Sequence, residues 1–220
     1  NFYSKYQVTK NLVAQTVAYQ KERGDHSKAL LVVGDSSGVG VGTLKPEDSV
    51  AGLLSDSIAA SYVENRAVSG AVVADIAGQL SGAKLERYDT ILVQIGGNDI
   101  VRFHDAQKTA DILRQSIEKA VSMSTRVIRM SAGNVGAVTN FPIFMRPFYT
   151  TLTLKYHAAF GAMATQTGAI YVNLYTLPEE DAFVAHPEIY LAGDGFHPSS
   201  AGYALWFERL EATVAAYGSK

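Results

Sequence analysis

The chain contains no cysteine. That excludes disulfides, thiolate metal sites and cysteine nucleophiles together, and it is compatible with reducing and oxidising compartments alike, so composition leaves the location open. No stretch approaches the roughly 20 consecutive apolar residues that a membrane span requires. Charge is sparse as well. Only 18% of the residues are Asp, Glu, Lys or Arg, the formal net charge is -2, and no dense basic run supplies a field for a phosphate backbone or an acidic membrane surface. A nucleic acid partner is not expected. Five histidines are present, but none forms an H-x-x-x-H pair. The nearest approach to a metal set is His186 with Asp194 and His197, and neither a metal nor an organic cofactor is expected. The chain opens on Asn1 rather than Met, which reads as removal of something upstream, whether a signal, an anchor or a segment left off by a cloning choice.

What is there suits one buried core. The 220 residues are 47% hydrophobic, enough for a single α/β domain spanning 1–220. Runs rich in aliphatic and β-branched residues recur at 29–33, 61–68, 90–95, 126–130 and 169–174. Helical patterns lie between and after them. Over 105–123, Leu113, Ile117 and Val121 recur at four-residue spacing, and over 200–217 a stripe joins Tyr203, Trp206, Leu210, Val214 and Tyr217. Such alternation predicts a parallel sheet with helices on both faces. At the N-terminus, Phe2, Tyr6, Val13 and Val17 predict a helix over 2–23 that stops at Gly24 and packs on the domain.

The first strand-like run ends in Gly34-Asp35-Ser36, and the sequence Asp194-Gly195-Phe196-His197-Pro198 stands far downstream. A serine leaving a buried strand, with a carboxylate and an imidazole three residues apart elsewhere, supplies the parts of a nucleophile, base and orienter set. Gly34 to Gly38 formally satisfies G-x-S-x-G, but a single preceding strand and an acid so close to its histidine argue against the α/β-hydrolase scaffold. Gly38, Gly40 and Gly42 close neither a dinucleotide nor a Walker motif. A second polar motif, Gly96-Gly97-Asn98-Asp99, follows the run that ends at Ile95. In a parallel sheet both motifs fall at the carboxyl ends of strands, where ligands bind. Asp35 and Asp99 read as loop-holding acceptors of backbone hydrogen bonds.

Together these residues resemble the SGNH hydrolase superfamily of GDSL-type esterases and lipases. Gly34-Asp35-Ser36 is similar to its first block, with Ser37 in place of the usual leucine; Asn65-Arg66-Ala67-Val68-Ser69-Gly70 resembles the second, with Ala67 where glycine is common. Gly96-Gly97-Asn98-Asp99 and Asp194 to Pro198 resemble the third and fifth. The resemblance implies a three-layer α/β/α sandwich with a five-stranded parallel sheet in flavodoxin-like order 2-1-3-4-5. It also implies a triad of Ser36, Asp194 and His197, with an oxyanion hole from the backbone N–H groups of Ser36 and Gly70 and the side-chain amide of Asn98.

The implied chemistry is hydrolysis of carboxylic esters through an acyl-enzyme, with short to medium acyl chains favoured because the chain leaves little room for a lid. Alternatives with the same machinery are deacetylation of carbohydrate or cell-wall polymers and release of acyl groups from lysophospholipids or thioesters. A non-catalytic binding module on the same scaffold is the alternative of another class, and retention of every catalytic residue type argues against it. The partner is then a small-molecule, glycan or lipid ester. Arg102, Phe103, Phe141, Phe144 and Phe148, clustered after the third block and around Pro142 and Pro147, are the candidate substrate-binding residues.

Overall fold

A computed structural model of the chain describes residues 2–22 and 26–218. The elements run α1 (Phe2–Gln15), β1 (Lys21–Glu22), β2 (Ala29–Gly34), α2 (Ser36–Val39), α3 (Val50–Ser57), β3 (Tyr62–Asn65), α4 (Ile76–Ser81), β4 (Tyr88–Gln94), α5 (Gly97–Val101) and α6 (Ala106–Met123). They continue with β5 (Ser124–Met130), α7 (Arg146–Thr167), β6 (Ile170–Val172), α8 (Ala182–Ala185), α9 (Pro187–Tyr190) and α10 (Ser200–Gly218). The sheet order is β1-β3-β2-β4-β5-β6. Five strands are parallel, and in their own chain order they read 2-1-3-4-5.

Successive side chains of a strand point to opposite faces, and β2 shows what each face demands. Leu31 and Val33 join a core with Ile76 and Leu80 of α4, Leu113 and Ile117 of α6 and Tyr156 and Phe160 of α7. Leu30 and Val32 face the other way, onto Val50 and Leu54 of α3 and Tyr203 and Leu210 of α10. A strand covered on both sides reads as a continuous apolar run, which is why 29–33 carries no alternation. Burying one such aliphatic side chain contributes about 1.5–3 kcal/mol.

The structure departs from the sequence expectations at the margins. The sheet has six strands rather than five, because Lys21 and Glu22 pair antiparallel with Val63 and Tyr62 at the edge. The N-terminal helix stops at Gln15 instead of continuing to residue 23, and the expected stop at Gly24 lies outside the described residues. Of the residues expected on the helix's apolar face, Val13 is half-buried and Tyr6 is exposed, and Val17, also exposed, lies beyond the end of the helix. The run 61–68 is strand only over Tyr62–Asn65, since beyond Asn65 the chain turns away at the sheet's carboxyl edge. In α6 the buried stripe is Ala110, Leu113, Ile117 and Ala120, and Val121 is exposed. Tyr217 is exposed on the last turn of α10.

Candidate active site

Ser36 stands where β2 hands over to α2. The turn between them needs Gly34, whose φ is +152° and whose added Cβ would lie 2.0 Å from the Gln94 carbonyl oxygen of β4. Gln79 of α4 holds that glycine from the side, accepting from its N–H at 2.7 Å and donating to its carbonyl at 2.9 Å. Asp35 then caps α2: its carboxylate accepts from the Ser37 N–H at 2.9 Å and the Ser37 hydroxyl at 2.7 Å. A charged N-cap of this kind is worth about 1 kcal/mol. Ser36 is thereby the first residue of a helix, where a backbone N–H has no intrahelical acceptor.

At the opposite end of the chain, Asp194 and His197 share a tight turn. Its pivot is Gly195, at φ +64°, where a Cβ would fall 2.2 Å from the Thr139 hydroxyl. The Gly195 carbonyl accepts from the N–H groups of Thr139 and Asn140, tying the turn to the loop after β5. His197 Nδ1 lies 2.7 Å from Asp194 Oδ2, and His197 Nε2 lies 3.0 Å from Ser36 Oγ. With the carboxylate accepting from Nδ1–H, Nε2 is the acceptor for the serine hydroxyl. All three side chains are buried. Burial alone would raise the Asp194 pKa, but the hydrogen bond and charge of His197 and the N–H groups of Phe196 and His197 bring it below the ordinary carboxylate value.

Asn98 reaches the same place from the start of α5. Its Nδ2 donates to the Ala71 carbonyl at 2.9 Å, which uses one of two amide hydrogens and ties the third sequence motif to the loop after β3. Asn65 anchors that loop by donating to the Gly38 carbonyl at 2.8 Å and accepting from the Ala67 N–H. Gly70, at φ +84°, is exposed and is not among the residues that line the cavity beside Ser36. Asp99 accepts from the Val73 N–H and pairs with His104 at 3.0 Å. Burial raises the pKa values of Asp35 and Asp99, with the hydrogen bonds opposing it. Both thus hold loops.

A cavity of about 430 Å3 opens on Ser36, Asn98 and His197. It is mainly apolar, running past Val138, Leu174, Phe183, Leu205 and Trp206 to Ala212, with Glu180, Glu208 and Arg209 also on its wall. Leu205, Arg209 and Ala212 share one stripe of α10 and cover about 10 Å of helix rise. None of Arg102, Phe103, Phe141, Phe144 and Phe148 lines it. Arg102 instead donates to the Gly70 carbonyl at 2.9 Å. Phe141 stacks on Tyr149 with ring centroids 4.2 Å apart, Phe103 stacks on Tyr149 and tilts against Phe148, and Phe144 points into solvent. Within α7, Tyr149, Tyr156 and Phe160 share one face and enter the core, while Phe148 on the neighbouring position is exposed and Phe141 and Phe144 lie before the helix. The cavity wall comes from α8, α10 and the loop after β6, where apolar residues are dispersed in sequence. Only the stripe through Trp206 hinted at it.

Beside this site lie two further groups, the buried Arg129 and the half-buried His157. Arg129 of β5 is fully buried, with its guanidinium 4.0 Å from the Phe160 ring centroid and Nη2 donating to the Ile95 carbonyl at 3.3 Å. Burial, offset by Tyr171 and Asp35, lowers its pKa to about 10, so it stays charged. His157 of α7 donates from Nε2 to the Ala132 carbonyl and accepts at Nδ1 from the Tyr171 hydroxyl at 2.8 Å. Burial, together with the Arg129 charge, lowers its pKa to about 4. The unfolded value is about 6.5, so His157 contributes stability that is present above pH 6.5 and is lost as pH falls toward 4, on the order of 3 kcal/mol. In urea denaturation across that window, His157→Gln is expected to lose stability less steeply than the wild type as pH falls. Parallel curves would assign the acid sensitivity elsewhere.

Among the described residues, no group of three or more His, Cys, Asp or Glu side chains is placed to hold a metal ion, and no helix is long and apolar enough to cross a membrane. A serine, a histidine and an aspartate in hydrogen-bonded series at the carboxyl edge of a three-layer α/β sheet make up the arrangement found in serine hydrolases. The chain belongs to the GDSL-like lipase/acylhydrolase family, whose sequence model matches residues 32–205. It is 25% identical over 183 residues to the GDSL-like esterase Rv1075c of Mycobacterium tuberculosis, an alignment covering 80% of this chain and 58% of that protein. Its fold is similar to that of a member of the lipolytic G-D-S-L family from Veillonella parvula, at TM-score 0.64 and 20% identity, covering 84% of this chain and 97% of the other. It is similar also to Axe2, an acetyl xylan esterase from Geobacillus stearothermophilus, at TM-score 0.61 and 19% identity, covering 88% and 96%.

Proposed function

We propose that the protein hydrolyses carboxylic esters of short to medium acyl chains through an acyl-enzyme on Ser36. The observation that carries this reading is the series Ser36, His197, Asp194 opening directly onto a mainly apolar cavity. His197 takes the Ser36 proton as Oγ attacks the ester carbonyl, then returns it to the leaving alcohol. Asp194 holds the imidazole tautomer and stabilises the imidazolium. The carbonyl oxygen, negative in the tetrahedral intermediate, is met by the Ser36 N–H, the second amide hydrogen of Asn98 and the N–H of Gly70. The bond from Asn98 to Ala71, next to Gly70, supports this pairing. Each donor is worth about 2.7–4 kcal/mol to the transition state. Water then attacks the acyl-enzyme with His197 again as base.

The cavity's size is that of a small-molecule site, about 300–1,000 Å3, and its apolar wall suits an acyl chain better than a sugar. An acetyl group would leave most of it unfilled. A panel of p-nitrophenyl esters from acetate to laurate, run beside acetylated xylan, tests the reading. Each methylene buried is worth about 0.8 kcal/mol, or about four-fold. kcat/KM is therefore expected to climb from acetate to hexanoate or octanoate before falling. A maximum at acetate, or preference for acetylated xylan, would overturn the acyl-chain assignment in favour of a deacetylase.

A further inference from the structure

Residues 1–31 precede the span matched by the family model, yet helix α1 touches the catalytic turn. Thr9 Oγ1 lies 3.1 Å from Asp194 Oδ2, and Lys5, one turn earlier on the same face, donates from Nζ to the Thr139 carbonyl at 3.0 Å. Thr139 is itself a donor to the Gly195 carbonyl. The two residues thus grip the turn at its carboxylate and at its pivot.

We propose that Thr9 is a positioning residue for the catalytic acid, its hydroxyl fixing the Asp194 carboxylate, and through it His197, against the body of the domain; this rests on the assignment of Asp194 made above. A carboxylate offers about four acceptor sites. Oδ1 receives the N–H groups of Phe196 and His197, both at 3.0 Å, and Oδ2 receives His197 Nδ1. Those three donors belong to the turn that carries the carboxylate, so they move with it. Thr9 fills the fourth site from a separate element, 185 residues away in sequence. The hydroxyl has one proton and two acceptors at equal distance, its own i−4 carbonyl of Lys5 and Asp194 Oδ2, both at 3.1 Å. The ionised carboxylate is the stronger acceptor, and the proton goes there.

Thr9→Val keeps the side chain's shape and removes the donor; Thr9→Ser keeps the donor. With p-nitrophenyl hexanoate and sites counted by fluorophosphonate titration, Thr9→Val is expected to lower kcat per site about 10-fold, the usual scale for a bond to a charged group, with KM unchanged. Thr9→Ser is expected to restore most of it. A wild-type kcat in Thr9→Val, a loss carried by KM, or a Thr9→Ser variant as impaired as Thr9→Val would each overturn the inference. Asp194→Asn in the same assay separates the two claims. If it is crippled while Thr9→Val is normal, only the role of Thr9 fails; if it turns over normally, the assignment of Asp194 fails and takes Thr9 with it.

Discussion

Ser36→Ala is expected to abolish covalent labelling by a fluorophosphonate probe and to lower kcat by about 10⁶-fold, the scale seen when a serine nucleophile is removed from a triad. The change takes away only the oxygen that sits 3.0 Å from His197 Nε2. The helix-start N–H, the Asp35 cap and the packing of β2 all stay, so thermal stability should move little. Peptide mass analysis of the labelled wild type should place the adduct on Ser36. Labelling at another serine, or residual turnover within about a hundred-fold of wild type, would remove Ser36 as the nucleophile.

A loss of similar size is expected from His197→Ala, because nucleophile and base act as one unit and losing either member forfeits most of their joint effect. Here the proton shuttle goes while Ser36 remains, so fluorophosphonate labelling should slow drastically in step with turnover. Asp194→Ala is expected to be harmful but less so, as the carboxylate orients and stabilises without itself transferring the proton. The ordering His197 worse than Asp194 is the informative part. His197→Ala retaining near-normal turnover would show that another group abstracts the Ser36 proton. Because His197 is buried against Asp194 and Ser36 and belongs to neither apolar core, its removal should leave the fold intact, which circular dichroism would verify.

Much of the site was legible because its parts are local in sequence. Ser36 follows the buried run of β2, and Asp194 and His197 sit within one turn, so each half carries its own short signature. The order of the parallel strands likewise came from the family resemblance, and the alternation of runs and helical stripes agreed with it. What escaped notice was set by contacts between distant segments. Val121 and Leu113 have the same spacing logic, yet only Leu113 meets the sheet, since the phase of α6 is decided by what it packs on. Phe141 and Phe148 look like pocket walls in sequence, yet they pack on Tyr149 near the start of α7, Phe141 stacked and Phe148 edge-on. Arg129 hides in a buried run, 127–130, whose other members are apolar.

By itself the sequence determined the fold class and named Ser36, His197 and Asp194 as the candidate nucleophile, base and acid, with the candidate oxyanion donors, because strand burial, helix periodicity and turn chemistry are properties of neighbouring residues. Only the tertiary structure decided that the cavity beside Ser36 lies along α10 and the loop after β6, that Lys21–Glu22 forms an edge strand where a helix was expected, and that Thr9 meets Asp194. Those outcomes depend on which surfaces face one another once the chain has closed. No local pattern records them, since hydrogen bonds and apolar contacts between segments more than a hundred residues apart are selected by the geometry of the packed whole.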